Sequence, residues 1–262
     1  MAETGVTTAP TAPLIGRVTL VRVAIILAVL VIWEAIAASG LLFRDVVPSL
    51  TVIGSALATL LSDPSYYFNL GVTAGEIGTA LLIGGLAGLA VGILLGANPL
   101  LAQAYESFLY YLGPTPKIIF FPVMIMWFGV GPGSKVAMGV ISCFFPVALS
   151  AAAGMRGIDQ VLIRVGRSFR LTAWQMVTKI YLPAMRLPVI NGVRLGLGVA
   201  IIGTLLAETK LSNKGVGFLI INAYSTFNMP RMYALLIVLF VLSIGVNALV
   251  GRLGGVDTIR RA

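Results

Sequence analysis

Side chains that could carry catalysis are few in this chain, and their spacing does not form an active site. Among 262 residues there are nine acidic residues, one cysteine and no histidine. Without histidine there is no Ser-His-Asp triad, HExxH zinc site or His-ligated haem, and the lone Cys143 forms no internal disulfide or multi-cysteine metal site. The acids show no close pair for general acid/base work, and neither a GxxxxGK[ST] phosphate loop nor a GxSxG elbow occurs. We therefore expect no catalytic, cofactor-binding or metal-binding residues and no ATPase site.

The composition places the chain in a membrane. Hydrophobic residues make up 58% of it and charged residues only 10%, against about 25% charged residues in soluble domains. This excludes a disordered chain and leaves too few polar side chains to cover a soluble fold. The net charge of +9 at first suggests a protein that binds nucleic acid. The basic residues, however, lie between apolar runs and do not form a basic patch on one water-exposed face. The sequence predicts an all-α polytopic membrane protein without a nucleic-acid partner.

Long apolar runs predict about six transmembrane helices. The candidate spans are residues 23–42, 77–105, 118–134 (preceded by the almost uncharged 107–116), 136–155, 187–207 and 232–251. The end of the first, Ala35-Ile36-Ala37, also resembles a signal-peptide cleavage site, but the long run and Trp33-Glu34 just before that site favour a retained span. Residues 39–70 are interrupted by prolines and predict a helix lying on the outer membrane surface.

The distribution of Lys and Arg predicts the orientation. With the N-terminus inside and six crossings, inner segments carry 11 of these residues and outer segments 5, so both termini are expected in the cytoplasm. We expect a disordered cytoplasmic tail over residues 1–16, a transmembrane domain over 17–255 and a cytoplasmic tail over 256–262. Residues 156–186 form a cytoplasmic loop within that domain, here called the basic loop.

Polar residues inside the fifth span are candidates for contact with a transported solute. Asn191 and Arg194 lie near its inner end, whereas Thr204 and Glu208, four residues apart on one face, lie near its outer end. Ionisable groups at membrane depth are functional hypotheses by default. The alternatives stay open: Arg194 reaches the cytoplasmic surface, and Glu208 sits at the outer boundary.

The third span is predicted to be broken. Pro114, Pro116 and Pro122 cannot share one undisturbed helix, because each removes an amide donor and clashes with the preceding turn. Irregular backbone at membrane depth is tolerated where protein buries it or where it lines a cavity. This favours a translocation pathway near Trp127 and Phe128, and the alternative is a lipid-facing kink with interfacial aromatics.

Glycine recurs at every fourth position of the second span. This spacing puts the glycines on one helix face, where missing side chains let another helix approach closely. The sequence therefore predicts a tight helix contact at Gly84, Gly88, Gly92 and Gly96.

The basic loop combines arginines with apolar residues at helical spacing. Arg164 and Arg167 share one face, whereas Phe169 follows two valines at four-residue spacing, and Trp174 comes next. Two interpretations stay open: an interfacial helix on anionic lipid, or a docking helix for a cytoplasmic partner.

In sequence order, several short motifs make residues 20–255 resemble the permease subunits of bacterial ABC importers. The similarity is greatest to the nitrate, sulfonate, taurine and bicarbonate branch of binding-protein-dependent systems. It is carried by Gly113-Pro-Thr-Pro-Lys-Ile118, Phe121-Pro122, Trp127-Phe128-Gly129, Trp174-Gln175, Leu182-Pro183, Pro188, Gly192-Val-Arg194-Leu, Ala207-Glu208 and Gly215-Val-Gly217.

This resemblance implies a type I ABC importer permease fold in the bacterial inner membrane. A second permease subunit, identical or different, would complete the pathway for a small anionic solute, and a periplasmic or lipid-anchored binding protein would deliver it. ATP and Mg would be bound by partner ATPase subunits that receive the basic loop. The docking residues would be Asp159, Arg164, Arg167, Ser168, Phe169, Arg170, Leu171, Thr172 and Trp174.

The chain departs from the family pattern in the upstream half of the loop motif. Arg164, Val165 and Gly166 stand where the family has Glu-Ala-Ala, and Arg170 stands where it has Gly. Glu76 also stands where the family commonly has Arg. These changes bear on how the ATPase is recognised, not on the fold.

Two other classes of protein remain as alternatives. A stand-alone secondary transporter would often show internal repeats and paired broken helices, and no convincing repeat is visible. A membrane-embedded enzyme would need reactive groups that converge at depth. The residues available for that are Glu34, Glu76, Cys143, Arg194 and Glu208.

Overall fold

The computed structural model describes residues 14–40 and 46–253, and these ranges contain helices and no strand. The helices are α1 (Leu14–Ser39), α2 (Leu50–Leu61), α3 (Pro64–Ala97), α4 (Pro99–Leu112), α5 (Phe121–Phe128), α6 (Pro132–Arg156), α7 (Gln160–Ser168), α8 (Ala173–Met176), α9 (Leu182–Ala184), α10 (Arg186–Lys210), α11 (Val216–Ser225) and α12 (Met229–Leu253). A 3₁₀ turn, Lys117–Phe120, precedes α5, and a π-helical stretch, Val177–Tyr181, joins α8 to α9.

Length and hydropathy select the membrane spans. Five helices (α1, α3, α6, α10 and α12) are long and apolar enough to cross a bilayer, and a sixth span results if α4 and Lys117–Phe128 are counted together. These two segments meet at 94°, which confirms the predicted break at the proline-rich turn. The all-α fold with about six spans is thus confirmed. Of the predicted tails, residues 1–13 and 256–262 lie outside the described ranges, and residues 14–16 begin α1.

The predicted second span, residues 77–105, was wrong at both ends. Asp63 accepts a hydrogen bond from the Ser65 amide at 2.9 Å and starts α3 at Pro64. Asn98 ends that helix and accepts bonds from the amides of Leu100 and Leu101 at 3.0 and 3.4 Å, so α4 begins at once in a new direction. A cap residue followed by Pro is a helix-start signal. This signal occurs at Asp63-Pro64 and at Asn98-Pro99, but the continuous apolar sequence made both helix starts easy to overlook.

Residues 39–70, predicted as a surface helix, contain α2 and the first turns of α3. Glu34 of α1 accepts a hydrogen bond from the Leu50 amide at 2.9 Å, which satisfies a free donor at the start of α2. The Trp33 indole donates to the Pro48 carbonyl at 3.1 Å and meets the Tyr233 ring edge-on at 5.2 Å. These contacts fix the C-terminal part of α1, whereas most of its other described side chains are exposed.

The core is a slab of three helices in which α6 lies between α3 and α10. A Cβ added at Gly84 or Gly88 would lie 2.7 Å from a carbonyl oxygen of α6, and Gly92 and Gly96 face Ala151 and Met155 of the same helix. A second set of glycines on α10 faces α6, where Gly196 lies against Cys143 and Val147. The missing side chains let the three backbones approach closely. The α10 glycines in these contacts are Gly192, Gly196 and Gly203.

A pair of alanine substitutions tests this contact. Gly92→Ala would push a methyl into the Ala148 carbonyl and the Ala151 side chain, so we expect a loss of about 1–3 kcal/mol in unfolding free energy. Gly85, on the same helix, has nothing within 4 Å of an added Cβ, so Gly85→Ala should stabilise α3 by about 0.5–1 kcal/mol. Thermal unfolding of the purified variants in detergent measures both. Equal shifts for the two variants would contradict the contact.

Candidate functional site

Six buried polar residues lie between the slab helices, and we call them the polar cluster: Asn69, Thr73, Glu76, Lys135, Thr204 and Glu208. Each is at most 8% exposed. The cluster lies near the end of the slab where α6 begins and α10 ends, here called the far end. The opposite end, where the basic loop joins α6 to α10, is called the loop end. Polar groups buried at this depth need hydrogen-bond partners, so their contacts show what they do.

The polar cluster holds the first amides of α11. Glu208 accepts from the Thr73 hydroxyl at 2.7 Å and from the Gly217 amide at 2.6 Å. The Val216 amide donates to the Thr73 hydroxyl oxygen at 2.8 Å, and the Gly215 amide donates to Asn69 Oδ1 at 2.7 Å. A helix begins with amides that lack an internal partner. Here side chains from α3 and α10 supply the partners, so α11 is fixed to both helices.

The Gly215-Val-Gly217 motif leaves room for the Glu208 carboxylate. Gly215 has a φ of +101°, a conformation that favours glycine. A Cβ added at Gly217 would lie 2.6 Å from the Glu208 Cβ. Both glycines are therefore required for the close approach of the loop backbone to Glu208. The motif is a carboxylate cradle formed within the subunit.

Two lysines satisfy backbone carbonyls where the broken span changes direction. Lys117 donates to the carbonyls of Gly113 and Thr115, just after α4, and its ammonium lies 5.2 Å from the Phe145 ring centroid. Lys135 donates to the carbonyls of Val130 and Gly131, after α5. Carbonyls at helix ends lack internal partners. The interruption that the prolines introduce is thus closed on both sides of α5 by the chain itself.

Lys135 also supplies the positive charge of the polar cluster. Its side chain is 1% exposed and close enough to both Glu76 and Glu208 to attract their carboxylates. Glu76 lies beside Glu208, and its Oε2 has no hydrogen-bond partner among the described residues. The Thr204 hydroxyl likewise has no hydrogen-bond partner among the described residues, and it faces Gly139. Lys135 thus places a positive charge near two buried carboxyl groups.

The structure does not bring the six predicted pathway residues together. Thr204 and Glu208 are 0% and 1% exposed and lie inside the subunit. Arg194 Nε donates to Asn247 Oδ1 of α12 at 3.0 Å, while Asn191 is exposed near the loop end. Trp127 and Phe128 are exposed on α5, near the far end, with their rings 6.5 Å apart. The pathway role of all six stays a prediction, and the buried position of Thr204 and Glu208 points to a supporting role for that pair.

The basic loop is a rigid, well-capped segment. Asp159 accepts from the Val161 amide at 2.8 Å and starts α7. Thr172 and Gln175 form a reciprocal capping box that starts α8. Between them the Leu171 amide donates to the Gly166 carbonyl at 3.2 Å, closing α7 with a Schellman motif. Predicted docking residues Asp159 and Thr172 thus have local structural roles.

The two faces of α7 differ in their contacts. Ile163 and Gly166 point toward the slab and pack near Met176, in a small core that Leu171 also joins. The outer face combines exposed apolar and basic side chains: Val161, Arg164, Val165, Arg167, Phe169, Arg170 and Trp174. Phe169 and Trp174 are 77% and 74% exposed. Large exposed aromatics beside arginines are typical of protein interfaces.

Arg170, which stands where the family motif has Gly, has an unusual backbone conformation. Arg170 has a φ of +51° and is the residue after the helix end in the Schellman motif, a place where glycine is usual. Its amide donates to the Arg167 carbonyl at 2.9 Å. A left-handed residue other than glycine costs about 1–2 kcal/mol. The chain thus retains the backbone shape that a glycine would adopt while presenting an arginine.

Reasoning from sequence missed Asn69, Thr73 and Lys135 as cluster residues. The sequence did contain a signal for Asn69 and Thr73. Together with Glu76 and Ala80 they lie at helical spacing on the same face of α3 as Gly84. A stripe of small and polar residues along one face predicts burial against other helices. Lys135 gave no such signal, because its position at the start of α6 resembles an exposed loop residue.

Comparison with known proteins adds a family to this geometry. The family described as "Binding-protein-dependent transport system inner membrane component" matches residues 84–254. The taurine transport system permease protein of Escherichia coli (strain K12) is 28% identical over 92% of this chain and 90% of its own length. The nitrate import permease protein of Leptolyngbya laminosa is 24% identical over 72% and 68%. The bicarbonate transport system permease protein of Synechocystis sp. is 25% identical over 76% and 74%.

Proposed function

The chain belongs to the inner membrane components of binding-protein-dependent transport systems, the permease subunits of ABC importers, and we propose that it imports a small anion with the help of ATPase subunits docked on its basic loop. It is a multi-pass transport protein and not an enzyme. In this proposal it has no ATPase site of its own and binds no cofactor, and ATP and Mg are held by the partner ATPases.

The observation that carries the proposal is the outer face of the basic loop. Exposed Phe169 and Trp174 accompany three exposed arginines, Arg164, Arg167 and Arg170, on a segment that a small core and three caps hold rigid. An amphipathic helix of this kind inserts its apolar residues into a groove. Because Arg164 replaces the acidic residue of the family motif, the matching ATPase groove should be acidic where it meets α7.

The pathway is proposed to lie along the broken span, between this chain and a second permease subunit. The face of α4 and α5 carries many exposed large apolar side chains, among them Tyr111 at 81%, Met126 at 84% and Trp127 at 72%. Apolar side chains on a membrane span can also face lipid, but the irregular backbone between α4 and α5 favours a protein contact, because such backbone is tolerated at membrane depth where protein buries it or where it lines a cavity. We assign Trp127, Phe128 and Asn191 to the lining and Glu208 to the support of α11 behind it, while Thr204 packs against Gly139 of α6. The second subunit is either another copy or a different permease.

Docking of ATPases on the basic loop would put the loop end in the cytoplasm and both termini on the same side of the inner membrane. The far end would then face the periplasm and meet a soluble or lipid-anchored binding protein. Exposed Lys210 and Lys214 make that end basic, which suits an anion. The taurine, nitrate and bicarbonate permeases among the relatives support a sulfonate or another small oxoanion as cargo.

Charge reversal on α7 tests the docking. Arg164→Glu and Arg167→Glu should each weaken co-purification of the ATPase by about tenfold, because a like charge replaces attraction at an interface. Lys210→Glu, at the far end, is the matched control and should leave ATPase recovery unchanged. Equal recovery with all three variants would remove α7 from the docking role.

Transport in proteoliposomes tests the coupling itself. Vesicles with the permease and its ATPase should accumulate radiolabelled taurine, nitrate or bicarbonate when ATP and the solute-binding protein are supplied. Vesicles with the permease alone should accumulate none. ATP-independent uptake by the permease alone would support a stand-alone secondary transporter and overturn the proposal.

A further inference from the structure

Two described residues other than glycine have a positive φ, and they lie at opposite ends of the molecule. Arg170, with a φ of +51°, belongs to the basic loop, and Phe227, with a φ of +55°, lies in the turn between α11 and α12. A bulky side chain in this conformation is an outlier, and such outliers cluster at functional sites. Arg170 already has an assigned role in the outer face of the basic loop. Phe227 has none.

The conformation of Phe227 is enforced by its hydrogen bonds. The Asn228 amide donates to the Ala223 carbonyl at 2.8 Å, and the Phe227 amide donates to the Tyr224 carbonyl at 3.0 Å. This is the Schellman pattern, and the residue at the Phe227 position is usually glycine. Glycine would fit this backbone conformation with less strain. The presence of phenylalanine therefore suggests that its side chain has a function.

Inside the chain the Phe227 ring has no evident use. It is 55% exposed, and Tyr224, one turn earlier on α11, is 59% exposed. Phe68, another exposed aromatic of this end, lies 5.7 Å from the Lys214 ammonium. No such contact involves Phe227 within the described part of the chain. An apolar ring presented in this way is available to another molecule.

A cleft with polar and apolar walls adjoins the residue after Phe227. Asn228 lines this cleft of about 250 Å³, together with the polar Thr59, Asp63 and Arg231 and the apolar Ala56 and Leu60. Arg231 Nη2 donates to Asp63 Oδ2 at 3.1 Å, and its amide donates to Asn228 Oδ1 at 3.2 Å. The bonds from Ser65, together with Arg231, hold the pKa of Asp63 below its ordinary value. A charged pair and the Asn228 side chain near an exposed ring suit a water-facing protein contact better than a lipid contact.

We propose that Phe227 is the anchor by which the far end of this permease docks its soluble solute-binding protein, whose matching surface offers an apolar recess bordered by acidic residues. This inference rests on the proposed function, which puts the far end outside. The recess receives the ring, and the acidic border faces exposed Lys210 and Lys214. A partner side chain can enter the cleft next to Asn228. An aromatic that fills a partner pocket carries a large share of binding energy.

The test uses the whole transporter, with its ATPases, in lipid nanodiscs. Solute-loaded binding protein is titrated while ATP hydrolysis is measured, which gives the concentration for half-maximal stimulation. Phe227→Gly removes the ring and suits the backbone, so the variant should fold, and its half-maximal concentration should rise by about tenfold or more. Phe227→Tyr keeps the ring and should stay within about twofold of the unmodified chain.

The control is Phe240→Ala in the middle of α12, which removes a phenylalanine that is 64% exposed. It should titrate like the unmodified transporter. If Phe227→Gly also does so, the ring contacts lipid or nothing, and the inference is wrong. If the unmodified transporter is not stimulated at any concentration of binding protein, the proposed function fails and the inference falls with it.

Discussion

Glu208→Ala is expected to destabilise the subunit by about 3–5 kcal/mol, the cost of removing one partner from a buried charged group. The substitution leaves the Lys135 ammonium facing Glu76 alone and removes the acceptor of the Gly217 amide and the Thr73 hydroxyl. The start of α11 then loses one of its three anchoring bonds. Thermal unfolding in detergent should show a fall of roughly 10 °C, at about 2–4 °C per kcal/mol for a chain of this size.

Two further variants separate the charge of Glu208 from its shape. Glu208→Gln keeps the volume and the bond from Thr73 but places an amide group near the Gly217 donor, so its effect should be intermediate. Lys210→Ala changes an exposed residue two positions later and should shift the midpoint very little. If Glu208→Ala unfolds at the temperature of the unmodified subunit, the polar cluster does not hold α11.

Trp174→Ala should weaken ATPase association by about thirtyfold, the effect of truncating an interface hot spot worth about 2 kcal/mol. The ring is 74% exposed in the free subunit, so its loss leaves no cavity and should not change the unfolding temperature. The signature is therefore a loss of association without a loss of stability. Titration of the detergent-purified permease with ATPase, followed by light scattering or interferometry, measures it.

Trp127→Ala is the matched control for Trp174. Trp127 is 72% exposed but lies on α5, near the far end. Its truncation should leave ATPase association as it was and should change solute uptake instead if the residue lines the pathway. Similar losses of association in both variants would show a nonspecific effect of removing an exposed tryptophan.

Most of the fold was predictable because membrane spans depend on local composition. Apolar runs long enough to cross the bilayer predicted about six spans, and prolines located the break in the third. The bounds of the second and third spans were wrong, because the predicted 77–105 and 118–134 correspond to 64–97 and to the bent pair 99–112 and 117–128. The start of α3 was missed because Tyr66, Asn69 and Thr73 made its first turns look like a surface segment. The polar groups of Asn69 and Thr73 are tolerated at this depth through Glu208, Gly215 and Val216, which are far away in sequence.

The polar cluster shows why a site is harder to predict than a span. Glu208 was identified as unusual, but its role depends on Thr73 and Gly217, and spacing along one chain does not pair them. In the same way, the Leu50 amide became visible as the partner of Glu34 only in three dimensions. Contacts between distant segments decide whether a buried acid lines a pathway or holds a helix.

Close backbone contact along α6 has a mechanical consequence. Three helices that touch through glycines on both sides of α6 resist sliding past one another, because any axial shift drives side chains into carbonyl oxygens. We therefore expect force applied at the basic loop to turn the slab as a whole, with α6 as a lever about 37 Å long whose neighbours support it across Pro146. A tilt of about 5° at one end displaces the other by roughly 3 Å over that length. Stiffness, rather than a moving relay of side chains, links the two membrane surfaces in this subunit.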